Sequence, residues 1–545
     1  MTLFEQILTA RGLVTRAARQ AFLQPDYMAV KHDPFLLPDM KKAVARLKQA
    51  REQGEKIVIY GDYDIDGLSA TALLLDAFGK FGFEDVDAFI PNRFVEGYGM
   101  TMGAVDKVRD MGADLIVTVD TGSLCHAEIA YATSLGIDTV VTDHHNVAET
   151  PPPSVAAVNP KFPGHTYPFR DLCGAGVAFK LVQALQTELD GLPDGYEKWL
   201  LDLVALGTVC DIVTLADENR ANVYWGLEVL KKQQRPGLKA LMAVAGIEPE
   251  QVNARHLGFG LGPRMNAAGR LETAQHALDM LTARDGLAAL EASEKLEELN
   301  TKRRSIQDAI FEEACVQAEE LADDRVLVVS SGGWNHGVIG IVASKLVEKY
   351  KKPVFIIGER GEEATGSARS FGDFSAADAV RAADDIIIKG GGHGAAAGVT
   401  LATEKIGDFR RRVNEFYDSL QLTNQERYLL PRADVEIDDF SEIDEELVAN
   451  LAKMEPFGNG NPEPVLKIAR ASVLSMRRMG ADGQHVKLAL RDKNGKVLQM
   501  LAFNAPEEFF REPGDEVAAW FQPAINEWQG VRTVEGRLLH IILLD

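Results

Sequence analysis

With 545 residues, the chain is longer than one hydrophobic core normally supports, so two to four domains are expected. Its 46% hydrophobic and 26% charged residues are those of a globular protein, and no uninterrupted apolar run reaches the roughly 18 residues that span a bilayer, so no membrane partner is expected. The formal net charge of -23 speaks against a uniformly basic nucleic-acid-binding surface, although an acidic exterior can surround a locally basic groove. The opening MTLFEQILTARGLVTRAARQ lacks the apolar core and cleavage site of a signal peptide, and Cys125, Cys173, Cys210 and Cys315 are scattered without CxxC spacing. A cytoplasmic protein with neither a disulfide framework nor a zinc ribbon is the expectation, and a monomer is the default.

In chain order, residues 1–55 read as helical and lead through the turn-rich DPFLLPDM into a first strand. Over 56–275, strand-like and helix-like patterns alternate, as a doubly wound α/β sheet requires. Residues 276–324 are highly charged, with apolar residues at three- and four-residue spacing, and predict a long connecting helix. A second α/β segment, 325–425, begins with VLVVSS and closes with IIIKGGGHGAAAG. In the last segment, 431–545, an acidic helical piece precedes short alternating strands from about 463 onward, such as HVKLALRD and KVLQMLAF, which predict a small barrel or sandwich. The expected fold class is therefore α/β, two α/β lobes joined by a long helix, with a C-terminal barrel.

Four apolar runs each end in an acidic or histidine cluster: 57–60 before Asp62, Asp64 and Asp66; 115–119 before Asp120; 139–142 before Asp143, His144 and His145; and 203–209 before Asp211. Read as buried parallel strands, they bring these residues to one sheet edge, where an open α/β sheet binds its ligand. Carboxylates with imidazoles suit Mg²⁺ or Mn²⁺, so a metal-dependent hydrolase is the first reading. In GDYDIDG, three aspartates at period two share one face if the backbone is extended, and Gly67 turns the chain into a helix near Leu68. An acidic turn capping that helix is the plain alternative, and a lone aspartate such as Asp120 or Asp211 reads as an N-cap. Candidate groove cations are Arg93, Arg255, Arg264, Arg270, Arg369 and the run Lys302 to Arg304, each of which alone reads as a solvated surface charge.

GDYDIDG, VTVDTG, TDHHN and GTVCDIV resemble the four motifs of the DHH phosphoesterase superfamily, and KGGGHGAAAG resembles the signature of its DHHA1 companion domain. DPFLLPDM, IPNRFVEGYG, LCGAGVAFKL, GPRMNAAGRLETA, GVIGIVASKL and GSARSFGDFSAADAV extend the resemblance to the RecJ-type single-strand DNA exonucleases, over nearly the whole chain. This resemblance implies a DHH domain, a DHHA1 domain and an OB-fold, and 5′-to-3′ removal of 5′-mononucleotides from single-stranded DNA in recombination and repair. It implies that Asp64, Asp66, Asp120, His144 and Asp211 bind two divalent cations, Mn²⁺ or Mg²⁺. Asp62 and Asp143 would orient those ligands, and His145 would face the phosphate. Arg93 and Arg270 would grip the terminal 5′ phosphate, although either can instead pair with a nearby carboxylate. Arg369, Gly391, Gly392 and His393 would also meet the substrate, while Trp334 suits DNA contact and core equally. In the barrel, Arg477, Arg478, Lys487 and Arg491 offer charge, and Phe503, Trp520 and Trp528 offer stacking or core. A single-strand-binding protein and a helicase are the further partners implied. The alternatives are a DHH phosphodiesterase of short oligonucleotides or cyclic dinucleotides, and a non-catalytic DNA-binding scaffold.

Overall fold

Five short runs rich in Val and Ile form the first sheet: β1 Ile57–Gly61, β2 Val86–Phe89, β3 Leu115–Val119, β4 Asp138–Thr142 and β5 Ala156–Val158. All neighbours are parallel, in the order β2-β1-β3-β4-β5. Alternation decides which layer each residue joins. Ile57 and Ile59 pack into the larger core under the helices Ile65–Phe81, Gly174–Leu185 and Leu201–Cys210, and Val58 and Tyr60 pack into the core on the opposite face. These coordinates are a computed structural model, which describes residues 1–97, 99–423, 425–528 and 530–544, the side chains of Glu426 and Trp528 excepted.

One expected strand is a helix. The run 203–209 lies within Leu201–Cys210, buried on every side from Leu201 to Thr208. A continuous apolar run has no polar face to reveal its period, so a buried helix and a buried strand read alike in sequence.

The expected connecting helix is two helices, Gln275–Thr282 and the 35-residue Gly286–Glu320, which Asp285 caps by accepting hydrogen bonds from the Leu287 and Ala288 amides. At 1.5 Å per residue the second is about 50 Å long. Leu296 and Leu299 in its first half join the larger core of the first lobe, and Ile310, Ala314 and Ala318 in its second half join the core of the next lobe. It therefore fixes the two lobes to one another.

That next lobe is a mixed sheet of order β6-β7-β8-β10-β9, built from β6 Leu327–Gly332, β7 Val354–Arg360, β8 Glu363–Arg369, β9 Lys389–His393 and β10 Ala396–Ala402. β6 and β7 are parallel, and the remaining pairs are antiparallel. The C-terminal strands are β11 Val435–Ile437, β12 Leu466–Met479, β13 His485–Arg491, β14 Val497–Ala502, β15 Glu516–Trp528 and β16 Val531–Leu543. Pairing of β12 with β15 closes β12-β13-β14-β16-β15 into a five-stranded barrel. The N-terminal helices divide between distant parts of the chain. Leu3, Ile7 and Leu8 complete the barrel's core, whereas Met40, Ala43, Val44 and Leu47 belong to the larger core of the first lobe. No described helix is long and apolar enough to cross a membrane.

Candidate active site

The helix after β1 packs on one face of the parallel sheet and the helix His126–Ser134 after β3 on the other, so a crevice opens between the carboxyl ends of β1 and β3. Asp62 follows β1, Asp120 follows β3, and Asp143 to His145 follow β4. Asp211 arrives by another route, as the C-terminal cap of Leu201–Cys210. The four motifs meet as expected, three on strands and one on a helix end.

The local conformation of GDYDIDG differs from the extended segment expected. β1 ends at Gly61, Asp64 caps the helix Ile65–Phe81 by accepting from the Asp66 amide at 2.9 Å and the Gly67 amide at 3.1 Å, and Asp66 lies in the first turn. Gly67 sits inside that turn rather than ahead of it, where a Cβ would lie 2.5 Å from the Asp62 carbonyl oxygen. Asp120 caps no helix, since it takes a left-handed conformation at φ 60° before the loop to His126. Two further glycines hold the crevice open. A Cβ on Gly207 would stand 2.4 Å from Asp66 Oδ1, and one on Gly174 would stand 2.6 Å from the Asp120 Cβ.

His144 Nε2 is the centre of the arrangement, 3.0 Å from Asp120 Oδ1, 3.6 Å from Asp211 Oδ2 and 3.8 Å from Asp66 Oδ2. Neither this nitrogen nor Asp120 Oδ1 nor Asp62 Oδ1 has a hydrogen-bond partner among the described residues, though all three are buried. Burial, then the charge of His145, pulls the His144 imidazole down to about 4, so it is neutral with a lone pair to offer. Burial, then the charge of Asp64, pushes Asp62 up to about 7 and Asp66 up to about 6. Burial, then Asp66, pushes Asp211 up to about 8 and Asp120 far above its ordinary value. No Lys or Arg forms an ion pair with any of these acids among the described residues. Buried like charges at such spacing demand cations. Donor atoms of Asp66, His144 and Asp211 lie within 4.8 Å of one another, as do those of Asp62, Asp64 and Asp120, and those of Asp120, His144 and His145. Oxygen-rich sets with one or two imidazoles fit Mn²⁺ or Mg²⁺.

Asp143 plays a different part. Its Oδ1 accepts from the His144 amide at 2.7 Å, the His145 amide at 3.1 Å and His145 Nδ1 at 2.9 Å, and its Oδ2 accepts from the Ser123 amide. Burial opposes its charge, but the His145 ring outweighs burial and holds Asp143 well below the usual carboxylate range. Burial likewise opposes a charged His145, yet the hydrogen bond it donates to Asp143 holds that imidazole up at about 9. Asp66 is braced similarly, by the amides of Gly174 and Ala175.

Beside the acids lies a group of arginines. Arg270 Nη1 donates to the Gly337 carbonyl at 2.8 Å, across the junction of the lobes. Burial, then the like charges of Arg93 and Arg303, draws its guanidinium down to about 10, with Arg369 adding to the repulsion. Arg93 is exposed, 5.0 Å from the centre of the Tyr63 ring, and Arg369 donates to the Ala368 carbonyl. None of the four pairs with a carboxylate among the described residues; Arg303 bonds Asn300 and Gln307 instead. Arg264, by contrast, pairs with Glu297 and is removed from the groove candidates.

Alternation along β9 and β10 places Lys389, Gly391 and His393 on the face opposite the lobe's core, with Gly398 between Gly391 and Ser367. Gly390 and Gly392 are required by packing, since their Cβ atoms would lie 2.4 Å from Val380 Cγ1 and the Ala396 carbonyl. Gly391 has no atom within 4 Å of that position, so packing does not account for it. Trp334 is core, its Nε1 donating to Glu313 at 2.7 Å, and Trp520 is core too. Arg477, Arg478 and Phe503 are exposed on the barrel, Lys487 pairs with Glu535, and the Trp528 side chain lies outside the described residues. Sequence reasoning missed the individual importance of Arg303, because a charged run reads as solvated surface, and that of the Gly174 and Ala175 amides, which carry no side-chain signal.

Family models match in three places: the DHH family N-terminal domain over 56–208, the DHHA1 domain over 323–419 and the RecJ OB domain over 433–540. The chain is 39% identical over 533 residues to the single-stranded-DNA-specific exonuclease RecJ of Bacillus subtilis, matching 96% of this chain and 66% of that one, just under two thirds of its length. It is 35% identical to that of Salmonella typhimurium, over 92% of this chain and 89% of the relative. Among solved structures, RecJ of Thermus thermophilus in complex with Mn²⁺ superposes with a TM-score of 0.83 at 30% identity, covering 99% of this chain and 76% of that one. The barrel, the long helix and the crevice thus recur together in sequence and in structure, and the chain belongs to the RecJ family of single-stranded-DNA-specific exonucleases.

Proposed function

We infer that the chain is a metal-dependent exonuclease that degrades single-stranded DNA from its 5′ end and releases 5′-mononucleotides by hydrolysis. The observation that carries this reading is the pairing of two unmatched clusters in one cleft. Five carboxylates with no Lys or Arg partner among the described residues surround a neutral imidazole, and four arginines with no carboxylate partner among the described residues stand at the adjoining lobe junction.

In this reading Asp64, Asp66, Asp120, His144 and Asp211 hold two divalent cations, Mn²⁺ or Mg²⁺, with Asp62 in direct reach of one of them. When bound, the two ions neutralise the scissile phosphodiester and lower the pKa of water toward neutrality. His145, kept protonated by Asp143, donates to a phosphoryl oxygen as charge develops there. Asp143 sets the ring's orientation and takes no proton, because its own pKa is held so low. Polarity comes from Arg93, Arg270 and Arg369, whose forks match a terminal phosphate dianion better than the monoanionic linkages of the chain interior. Gly391 lets the backbone approach the strand closely, with Gly392 and His393 beside it. The relatives' names carry single-strand specificity, and enclosure of the crevice between two lobes and a barrel accounts for it by excluding duplex.

Action in recombination and repair, in the cytoplasm, as a monomer working with a helicase and a single-strand-binding protein, completes the proposal. The test follows single-stranded DNA labelled at either end, with Mn²⁺, Mg²⁺ or EDTA, beside blunt duplex. Immediate metal-dependent release of the 5′ label as mononucleotide is expected. Cleavage confined to very short oligonucleotides selects the short-substrate phosphodiesterase, and tight binding without cleavage selects the scaffold; either result overturns the inference.

A further inference from the structure

We propose that the cavity of about 930 Å³ beside the acid cluster is a base-stacking subsite for the strand 3′ of the scissile linkage, with Phe259 as its platform. This rests on the exonuclease reading and adds to it a residue that the motifs leave out.

Phe259 is 75% exposed, the most of the described aromatics in the catalytic lobe, against 44% for Phe94, 42% for Trp199 and 39% for Trp225. It stands on the π-helical segment His256–Leu261, which runs directly into the helix Gly262–Leu271 that carries Arg270 in its last turn. Wide turns of this kind occur chiefly at functional sites. Its neighbours Gly258 and Gly260 have no side chains to shade the ring, and the exposed Arg255 guanidinium lies 5.7 Å from the ring centre. A ring left in water beside a guanidinium is what successive bases and phosphates of a single strand bind.

The cavity fixes which part of the strand it takes. Its wall begins at Cys210, next to Asp211, and passes Asn266, Arg270 and Arg303 before it reaches Arg537 of the barrel. Arg270, Phe259 and Arg537 share this wall, so in the proposed path a strand whose 5′ end is held at Arg270 continues over Phe259 toward the barrel. Charge agrees with a phosphate backbone. Arg303 is 7% exposed and bonds Asn300 Oδ1 at 2.8 Å and Gln307 Oε1 at 2.6 Å, with no acid among the described residues, and Arg255 and Arg270 have none either. Glu455 and Glu463 line the barrel side, where Glu463 accepts from Arg537 at 3.1 Å. Four guanidinium groups against two carboxylates leave the cavity cationic within an acidic protein. Ile212, 69% exposed on the same wall, extends the apolar surface offered to bases.

The test compares kcat/KM for a 5′-phosphorylated oligo-dT 12-mer with that for the 5′-phosphorylated dinucleotide pTpT, in wild type, Phe259→Ala and Phe259→Trp with Mn²⁺. In Phe259→Ala the ratio of 12-mer to dinucleotide falls about tenfold, through KM rather than kcat, and in Phe259→Trp it returns to within about twofold of wild type. Equilibrium binding in EDTA supplies a readout free of turnover. A 2-aminopurine scanned along the 12-mer changes emission at one interior position in wild type, and that change is lost in Phe259→Ala. If wild type degrades both substrates but the ratio and the 2-aminopurine signal do not move in Phe259→Ala, the subsite is wrong and the exonuclease reading stands. If wild type degrades neither substrate, the exonuclease reading fails and takes the subsite with it.

Discussion

The crevice at the ends of β1 and β3 and the junction between the lobes are built on opposite charges by the same device. In the crevice, Asp62, Asp66, Asp120 and Asp211 are buried beside one another until their carboxyls rise toward neutral pH or beyond it. At the junction, Arg270 is half-buried and stands near Arg93, Arg303 and Arg369, and its guanidinium falls to about 10. Other enclosed charges are satisfied within the chain, Arg235 by Asp76 and Asp202 and Arg220 by the carbonyls of Phe22, Met454, Glu455 and Pro456. Repulsion left unrelieved inside a protein that relieves it elsewhere marks the places where ligands arrive, cations in one case and phosphates in the other.

Removing a carboxylate from the crevice breaks the comparison most severely. Asp120→Ala should lower kcat on a 5′-phosphorylated 12-mer by about 10³-fold or more, because Asp120 supplies a donor to two of the three groups that could hold a cation. His144→Ala should cost a similar factor, and an active variant at either position contradicts the arrangement. On the cationic side, Arg270→Ala should raise KM for the phosphorylated strand by about 10- to 100-fold, the range expected for a charge-assisted hydrogen bond. The loss should be much smaller for a strand with a 5′ hydroxyl, and equal losses would remove Arg270 from the terminal phosphate.

A third test uses pH. Carboxylates raised above their unfolded value bind more protons in the folded chain than in the unfolded one, so the metal-free protein loses stability as pH rises from about 4 through about 8. Divalent cations bind the ionised form and restore that loss. The rise in Tm on adding Mn²⁺ should therefore be larger at pH 8 than at pH 6, by at least about 2 °C, and an equal rise at both would contradict the crowded-acid account. The smallest effect belongs to Gly391. Gly391→Ala should leave Tm within about 1 °C, since no atom stands near its Cβ position, while weakening strand binding a few-fold.

Much of the crevice was legible because three of its motifs follow short β-branched runs bounded by polar residues, the mark of buried parallel strands in sequence. Asp211 was found for a partly mistaken reason. Its run is apolar all round and forms a buried helix, yet a helix end delivers a carboxylate to the crevice as well as a strand end does. The face shared by Asp62, Asp64 and Asp66 was misread because Asp64 satisfies a helix N-terminus and the metal cluster together, so the chain turns earlier than the alternation suggests. What stayed hidden depends on distant contacts. Closure of the barrel through β12 and β15, and the docking of Leu3, Ile7 and Leu8 into that barrel, leave no mark within either segment. Phe259 belongs to none of the motifs that point to the site, and only the fold shows its ring in water.

The central claim is that the acid cluster is stable as a pair of cation positions sharing Asp120 and His144. Mn²⁺ binding measured by electron paramagnetic resonance at pH 8 tests it most directly, since free Mn²⁺ is counted without any need for turnover. Two ions per wild-type chain, and at most one of comparable affinity in Asp120→Asn, is the predicted result. No binding tighter than millimolar in wild type, or an unchanged count of two in Asp120→Asn, would contradict it.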